Sequence, residues 1–332
     1  YTQFANGGDA FVASLSAKDG SEIWRVRTGV SFKDSYGNGP RATPTLDGGV
    51  VYALSASGDL VAVRAADGGV MWQLHLRESF GAKPPHWGFS GSPLIEGDLL
   101  IVNAGGDAGR SVLALGKKTG KLRWSARDEK AGYAAPIAMT VAGVRQVLVF
   151  VADKIVSLDP ANGTTYWELG WKTDWGINAT TPILLEGDRV FLSTGYDKGA
   201  IMLKLRKEGD GVIAEELWRS REMRNKFSSS VLYGGMLYGF DEGTLKCVDP
   251  DNGTTLWRER GLGHGSLFAV DGKLIVLSDR GKLVLAAATP EGYTEFGAVQ
   301  AFETKTWTVP TLAGGRLYLR DEKEIVAFEV SR

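Results

Sequence analysis

Short runs of apolar residues recur along this chain with the period of strands, such as Leu60-Val61-Ala62-Val63 and Lys154-Ile155-Val156-Ser157-Leu158. That period predicts half-buried strands rather than helices. A glycine turn follows each run, and then a segment that carries tryptophan. Asp19-Gly20-Ser21-Glu22-Ile23-Trp24 is matched by Asp67-Gly68-Gly69-Val70-Met71-Trp72, Thr119-Gly120-Lys121-Leu122-Arg123-Trp124, Asn162-Gly163-Thr164-Thr165-Tyr166-Trp167 and Asn252-Gly253-Thr254-Thr255-Leu256-Trp257. Trp218 falls where a stretched sixth copy puts it, after a loop around Gly209 and Gly211. The Asp-Gly or Asn-Gly pair predicts a two-residue hairpin, because both residues tolerate positive φ.

Upstream of that hairpin each repeat has a second one. It is marked by Pro44 with Asp47-Gly48-Gly49, Pro93 with Glu96-Gly97-Asp98, Pro136 with Gly143, Pro182 with Glu186-Gly187-Asp188 and Pro310 with Gly314-Gly315. Gly234-Gly235 and Asp271-Gly272 keep the turn without the proline. Each repeat is therefore four strands, and the repeat recurs roughly every 45 residues, which predicts an all-β fold, a β-propeller of four-stranded antiparallel blades. The third strand ends near Leu15, Val63, Leu115, Leu158, Leu205, Val248, Ala287 and Phe328, which predicts eight blades; seven blades with irregular ends is the competing count. The whole chain, 1–332, reads as one propeller domain. The first repeat begins at its second strand and the last ends after its third, so the expectation is that a preceding N-terminal segment completes the first and last blades.

Composition agrees with many tight turns, since glycine contributes 44 of 332 residues against 11 prolines. With 38 Lys and Arg against 39 Asp and Glu, bulk charge gives no nucleic-acid or anionic-membrane footprint. The single cysteine, Cys247, cannot form an intramolecular disulfide, and with three histidines it cannot build a structural Cys/His zinc site. No apolar run is long enough for a membrane-spanning helix. No Gly-x-Ser-x-Gly elbow, phosphate-binding Gly-x-x-x-x-Gly-Lys loop or His-Glu-x-x-His helix is present. Gly105 to Gly109 is glycine-rich but joins two predicted strands, so it reads as a hairpin turn.

The motif running from Leu158-Asp159 to Trp167, and again from Val248-Asp249 to Trp257, resembles the tryptophan-docking repeat of the pyrroloquinoline-quinone (PQQ)-like propellers. The resemblance covers nearly the whole chain and implies that Trp24, Trp72, Trp124, Trp167, Trp218 and Trp257 pack between neighbouring blades, each offering its indole N–H to a backbone carbonyl. That superfamily includes calcium- and quinone-dependent alcohol dehydrogenases and the propeller lipoprotein of the outer-membrane β-barrel assembly machinery. A fold shared by both does not decide the function. In the dehydrogenases the quinone lies between a tryptophan and a ring of two adjacent cysteines; with Cys247 alone that ring cannot form, which disfavours PQQ with calcium, and no cofactor or metal is assigned.

Non-repeating residues are the candidates for function, because a symmetric scaffold does not require them. They cluster where one blade leads into the next, in residues 31–41, 80–88, 172–178, 222–228, 261–265 and 303–307. Arg41, Trp87, Asn178, Lys226 and Trp307 are the candidate ligand residues of an axial funnel, with Asp34, Lys83, His86, Asp174, Trp175, Arg224, His264 and Lys305 around them. Tryptophans beside cations suit a flat anionic ligand. The leading expectation is a non-catalytic binding or scaffolding propeller of an exported assembly, with a protein partner on one face. The alternative is a redox enzyme or small-molecule binder that uses the funnel. The resemblance implies a periplasmic or extracellular location.

Overall fold

The computed structural model describes residues 1–141 and 143–330. It contains eight antiparallel sheets, six of four strands and two of three, in a β-propeller that is almost wholly β. The chain divides into two compact units, residues 1–181 with 206–213, and residues 182–205 with 214–332.

In the first unit, blade 1 has strands Thr2–Asn6, Asp9–Leu15 and Glu22–Val30, and blade 2 has Thr45–Asp47, Val50–Leu54, Asp59–Arg64 and Val70–His75. Blade 3 has Leu94–Glu96, Leu99–Asn103, Val112–Gly116 and Leu122–Ala126, and blade 4 has Ile137–Val141, Val144–Phe150, Lys154–Leu158 and Thr165–Gly170. A short helix, Leu76–Phe80, leaves blade 2 and stops at Gly81, which takes the left-handed conformation with φ 72°.

Blade 5 has strands Ile183–Leu185, Arg189–Thr194, Gly199–Glu208 and Gly211–Ser220, the tip of its last hairpin belonging to the first unit and the rest to the second. The second unit continues with blade 6 (Val231–Tyr233, Met236–Asp241, Thr244–Val248, Thr255–Glu259) and blade 7 (Gly265–Val270, Lys273–Ser278, Lys282–Ala287, Glu295–Gln300). Blade 8 has Thr311–Ala313, Arg316–Arg320 and Ile325–Glu329. The first sheet thus holds the second to fourth strands of the repeat, and the last sheet the first to third.

The first-to-second-strand turns of blades 2, 3, 6, 7 and 8 are two-residue loops, and that of blade 5 has three residues, since Leu185 pairs with Arg189. Asp47 pairs with Val50 across Gly48 and Gly49, whose φ values of 53° and 78° suit a type I′ turn and a side chain resists. The third-to-fourth-strand turn differs from the two-residue hairpin that the Asp-Gly and Asn-Gly pairs predict. Leu158 pairs with Thr165, so the loop runs from residue 159 to 164, and a bulge follows at Ser157. Here the side chains act as turn acceptors rather than as positive-φ residues: Asp159 Oδ1 accepts the Ala161 N–H and Asn162 Oδ1 accepts the Thr164 N–H, both at 2.8 Å. Asp249 and Asn252 repeat the arrangement in blade 6. Only the glycine of each such pair adopts positive φ, as Gly163 does at 78°.

That glycine serves the preceding blade. A Cβ on Gly163 would lie 2.7 Å from the Trp124 ring, and one on Gly68, Gly120 or Gly253 would meet Trp24, Trp72 or Trp218 at 2.9 Å. Three residues before each glycine a carbonyl accepts the same indole N–H: Ala65 from Trp24 at 2.9 Å, Lys117 from Trp72 at 2.9 Å, Pro160 from Trp124 at 2.9 Å and Pro250 from Trp218 at 2.8 Å. Trp257 donates to Thr289 at 2.7 Å. Trp167 departs from the series and donates to Gln146 Oε1 within its own blade at 3.1 Å. Blade 7 has Gly297, opposite Leu285, at the register where blades 1 to 4 and blade 6 have tryptophan. Between the first two sheets, the buried aliphatic side chains Val12, Val51, Ala53, Val61 and Val63 fill the space beside the Trp24 indole.

Gly163→Ala forces a side chain both into positive φ and onto Trp124, for an expected loss of about 2–4 kcal/mol. Gly20→Ala has the same positive φ with nothing within 4 Å of its Cβ, and is expected to cost about 1 kcal/mol. Urea midpoints of the two variants, compared with the parent, check the difference.

Candidate functional site

The connectors that leave each blade carry the residues that break the repeat. In the first unit, Arg41 and Trp87 come together through Tyr133. Arg41 stacks 5.4 Å from the Phe32 ring, donates from Nη2 to the Gly37 carbonyl at 3.1 Å and lies 3.6 Å from Asp34 Oδ1. Its Nε is buried and has no hydrogen-bond partner among the described residues. Burial draws the Arg41 guanidinium below its ordinary pKa, and the Asp34 charge opposes this. Tyr133 is buried, which pushes its phenol up, and its oxygen accepts the Trp87 backbone N–H at 3.3 Å. The Trp87 ring packs against Tyr133 at 5.9 Å, against the edge of His86 at 4.7 Å and against the edge of Tyr36 at 6.5 Å. The result is an aromatic wall beside a partly shielded guanidinium, a surface that can hold a planar or anionic group.

Asn178 is placed differently. It is 0% exposed, and its amide donates to the carbonyls of Val151 (2.9 Å), Trp171 (3.1 Å) and Ala152 (3.2 Å). Its own carbonyl accepts the N–H groups of Tyr133 and Ala134. The side chain is a loop clamp without surface for a ligand, while Trp175, nearby in sequence, is 74% exposed.

In the second unit, Lys226 lies 5.6 Å from the Tyr196 ring and 3.7 Å from Glu242. Trp307 packs on Phe227 at 4.8 Å with the Lys305 ammonium 4.5 Å from its ring, and Phe227 packs on His264 at 5.6 Å. His264 Nδ1 donates to the Glu242 carbonyl at 2.8 Å, which fixes the imidazole as a loop brace. Trp307 stays 40% exposed.

A buried ionic cluster of this unit joins Arg224, a sequence candidate, to Lys246, which was not one. Lys246, 5% exposed, donates to the Glu222 carbonyl and carboxylate at 2.9 Å each and pairs with Asp241. Arg224 Nε donates to Asp241 Oδ1 at 2.7 Å and its Nη1 to Asp197 at 3.2 Å. Burial pushes the Asp241 carboxyl up, but hydrogen bonds from Arg224 and Lys246, with the Lys246 charge, outweigh it and hold the group below the ordinary 3.8. The sequence signal was a charge at an apolar register: the positions equivalent to Lys246 in blades 2, 3, 4 and 7 are Val61, Leu113, Val156 and Val284.

Among the described residues no group of three or more His, Cys, Asp or Glu side chains could hold a metal ion. Cys247 is fully buried in blade 6, and burial pushes its thiol up to about 11.

A family profile described as outer membrane protein assembly factor BamB matches residues 8–245 and 241–331. Over 324 residues the chain is 25% identical to outer membrane protein assembly factor BamB of Salmonella typhimurium, covering 81% of this chain and 78% of that protein. It superposes on the crystal structure of BamB from Moraxella catarrhalis with a TM-score of 0.69, at 16% identity, over 98% of this chain and 95% of that one. Quinohemoprotein alcohol dehydrogenase from Comamonas testosteroni gives 0.62, at 13% identity, over 96% of this chain and 69% of that one. At those identities the two structural likenesses speak to the fold.

The Asp241 cluster sets an acid limb. A carboxyl held below its unfolded value contributes stability that is complete above that value and is lost as pH falls through the lower, folded value. The urea midpoint of the parent should therefore drop as pH falls below about 4, and Asp241→Asn should flatten this part of the profile. At pH 7 the same variant leaves Lys246 short of a buried counter-charge, with an expected loss of about 3–5 kcal/mol.

Proposed function

The chain belongs to the family described as outer membrane protein assembly factor BamB, and from that premise we propose that it is a non-catalytic scaffold for outer-membrane protein assembly, exported and working on the periplasmic side without PQQ. The observation that carries the reading is the exposure of large aromatic rings on blade connectors. Trp175 and Trp307 extend into solvent from loops braced underneath by buried hydrogen bonds, Asn178 beneath the first and Thr306 beneath the second. Exposed indoles on rigid supports are the side chains that most often anchor protein interfaces, because they add large contact area at little cost in ordering. No helix among the described residues is long and apolar enough to cross a membrane.

A second reading, a small-molecule binder, has one specific observation in its favour: the shielded, unpartnered Arg41 Nε beside Trp87 and Tyr133. It does not extend to the quinone chemistry of the dehydrogenases, since one buried cysteine cannot form their disulfide ring.

Deleting the gene is expected to lower folded β-barrel proteins in the outer membrane at least twofold, read as heat-modifiable bands. A Trp175→Ala, Trp307→Ala double variant should restore them less than the parent while keeping its unfolding midpoint. Unchanged barrel levels after deletion would overturn the scaffold reading. Calorimetry with PQQ and calcium should give no saturable heat; micromolar binding lost in Arg41→Ala, Trp87→Ala would favour the second reading instead.

A further inference from the structure

Above the Asp241 cluster, between the end of blade 5 and the outer half of blade 6, lies a cavity of about 350 Å³. Arg221, Arg258 and Arg260 line it together with Arg224, Lys246 and the two carboxylates Glu222 and Asp241. The carboxylates are consumed below: Asp241 is shared by Arg224 and Lys246, and Glu222 by Lys246 and Thr255. The side chains of Arg221, Arg258 and Arg260 form no hydrogen bond or close ion pair among the described residues, and the Arg258 charge reaches Glu222 only at longer range.

Their convergence follows from the strand. Arg258 lies on the strand Thr255–Glu259, Arg260 follows its end, and Arg221 comes from the blade 5 connector; all three line the same cavity. Arg258 also stands directly opposite Lys246 in the ladder, a pairing of like charges that works against the sheet. An anion held by the arginines above Lys246 would offset that repulsion, and forked guanidiniums match the paired oxygens of phosphate or carboxylate groups.

We propose that this cavity is a binding site for a compact polyanion, a small molecule with at least two phosphate or carboxylate groups, held by Arg221, Arg258 and Arg260. Lys246 forms the charged floor and takes no direct part in the contact, because its three donors are already used. The site is separate from the exposed tryptophans and does not depend on the scaffold reading.

The test uses the full chain in about 100 mM salt, where diffuse surface attraction is largely screened. Pyrophosphate and citrate are titrated by calorimetry; one of them is expected to bind saturably at about 100 µM or tighter, and their order distinguishes a phosphate ligand from a carboxylate one. Arg258→Gln, Arg260→Gln should weaken that binding at least about tenfold. Lys18→Gln, Lys33→Gln, which removes two exposed cations elsewhere, should leave it unchanged. All four side chains removed are solvent-exposed, so both double variants should keep the parent's unfolding midpoint. Absence of saturable binding, or equal losses in the two double variants, would overturn the site. So would tighter binding of a triglutamate peptide than of either small anion, since that would assign the pocket to an acidic protein segment.

Discussion

The indole of one blade seated on the glycine of the next is the contact from which the rest of the fold follows. A fourth strand in a propeller blade has few neighbours of its own, so something must tie it to the adjacent sheet. Here a ring of large apolar area lies flat on a backbone without a Cβ, and its N–H satisfies a turn carbonyl that would otherwise be half-buried and unpaired. The two requirements are mutually limiting. Any side chain at the glycine lifts the ring, and a lifted ring loses both its packing and its hydrogen bond. The motif therefore reads in both directions along the chain: its glycine receives from the blade before, and its tryptophan gives to the blade after.

This reciprocity explains why so much of the fold was legible in the sequence. Glycine and tryptophan at fixed spacing are rare residues under strict geometric demand, and the third strands end in Leu15, Leu158 and Val248 as the repeat requires. The turn type was not legible. Asp-Gly and Asn-Gly are the usual tokens of a two-residue hairpin, yet in these loops the carboxylate or amide of Asp159 and Asn162 accepts backbone N–H groups, and the chain takes a longer path. Both conformations use the same residue types, so spacing alone cannot separate them. Trp167 was likewise indistinguishable from its equivalents, because its departure shows in its bond to Gln146, a residue that the motif does not encode.

For the site, the sequence located the connectors but not the work each side chain does. Arg41 and Trp87 share an environment because Tyr133, distant in sequence, lies between them. Asn178 has the composition of a ligand residue and the surroundings of a structural one: three carbonyls converge on its amide, and a buried amide that left them would strand several polar groups at once. Polar residues in loops are ambiguous in this way, since the same amide can face a ligand or a backbone. Lys246 is the opposite case. Its neighbours in the strand are apolar and its equivalents in other blades are aliphatic, so a comparison across repeats isolates it, whereas a comparison of loops never reaches it.

Burying Lys246 has a physical consequence for blade 6. An ammonium removed from water needs compensation on every side, and Asp241 with the carbonyl and carboxylate of Glu222 supplies it. Those two carboxylates then make their close contacts below, with Lys246 and Arg224, and the Arg258 charge acts on Glu222 without a direct contact. An aliphatic residue at the Lys246 register would have packed as its equivalents do and left Asp241 and Glu222 free to pair with the arginines at the surface. The buried lysine thus transfers negative charge downward and leaves an excess of positive charge at the mouth. A repeat scaffold that needs only valine at this position carries a cation there instead, and the electrostatic asymmetry of blade 6 follows from that one replacement.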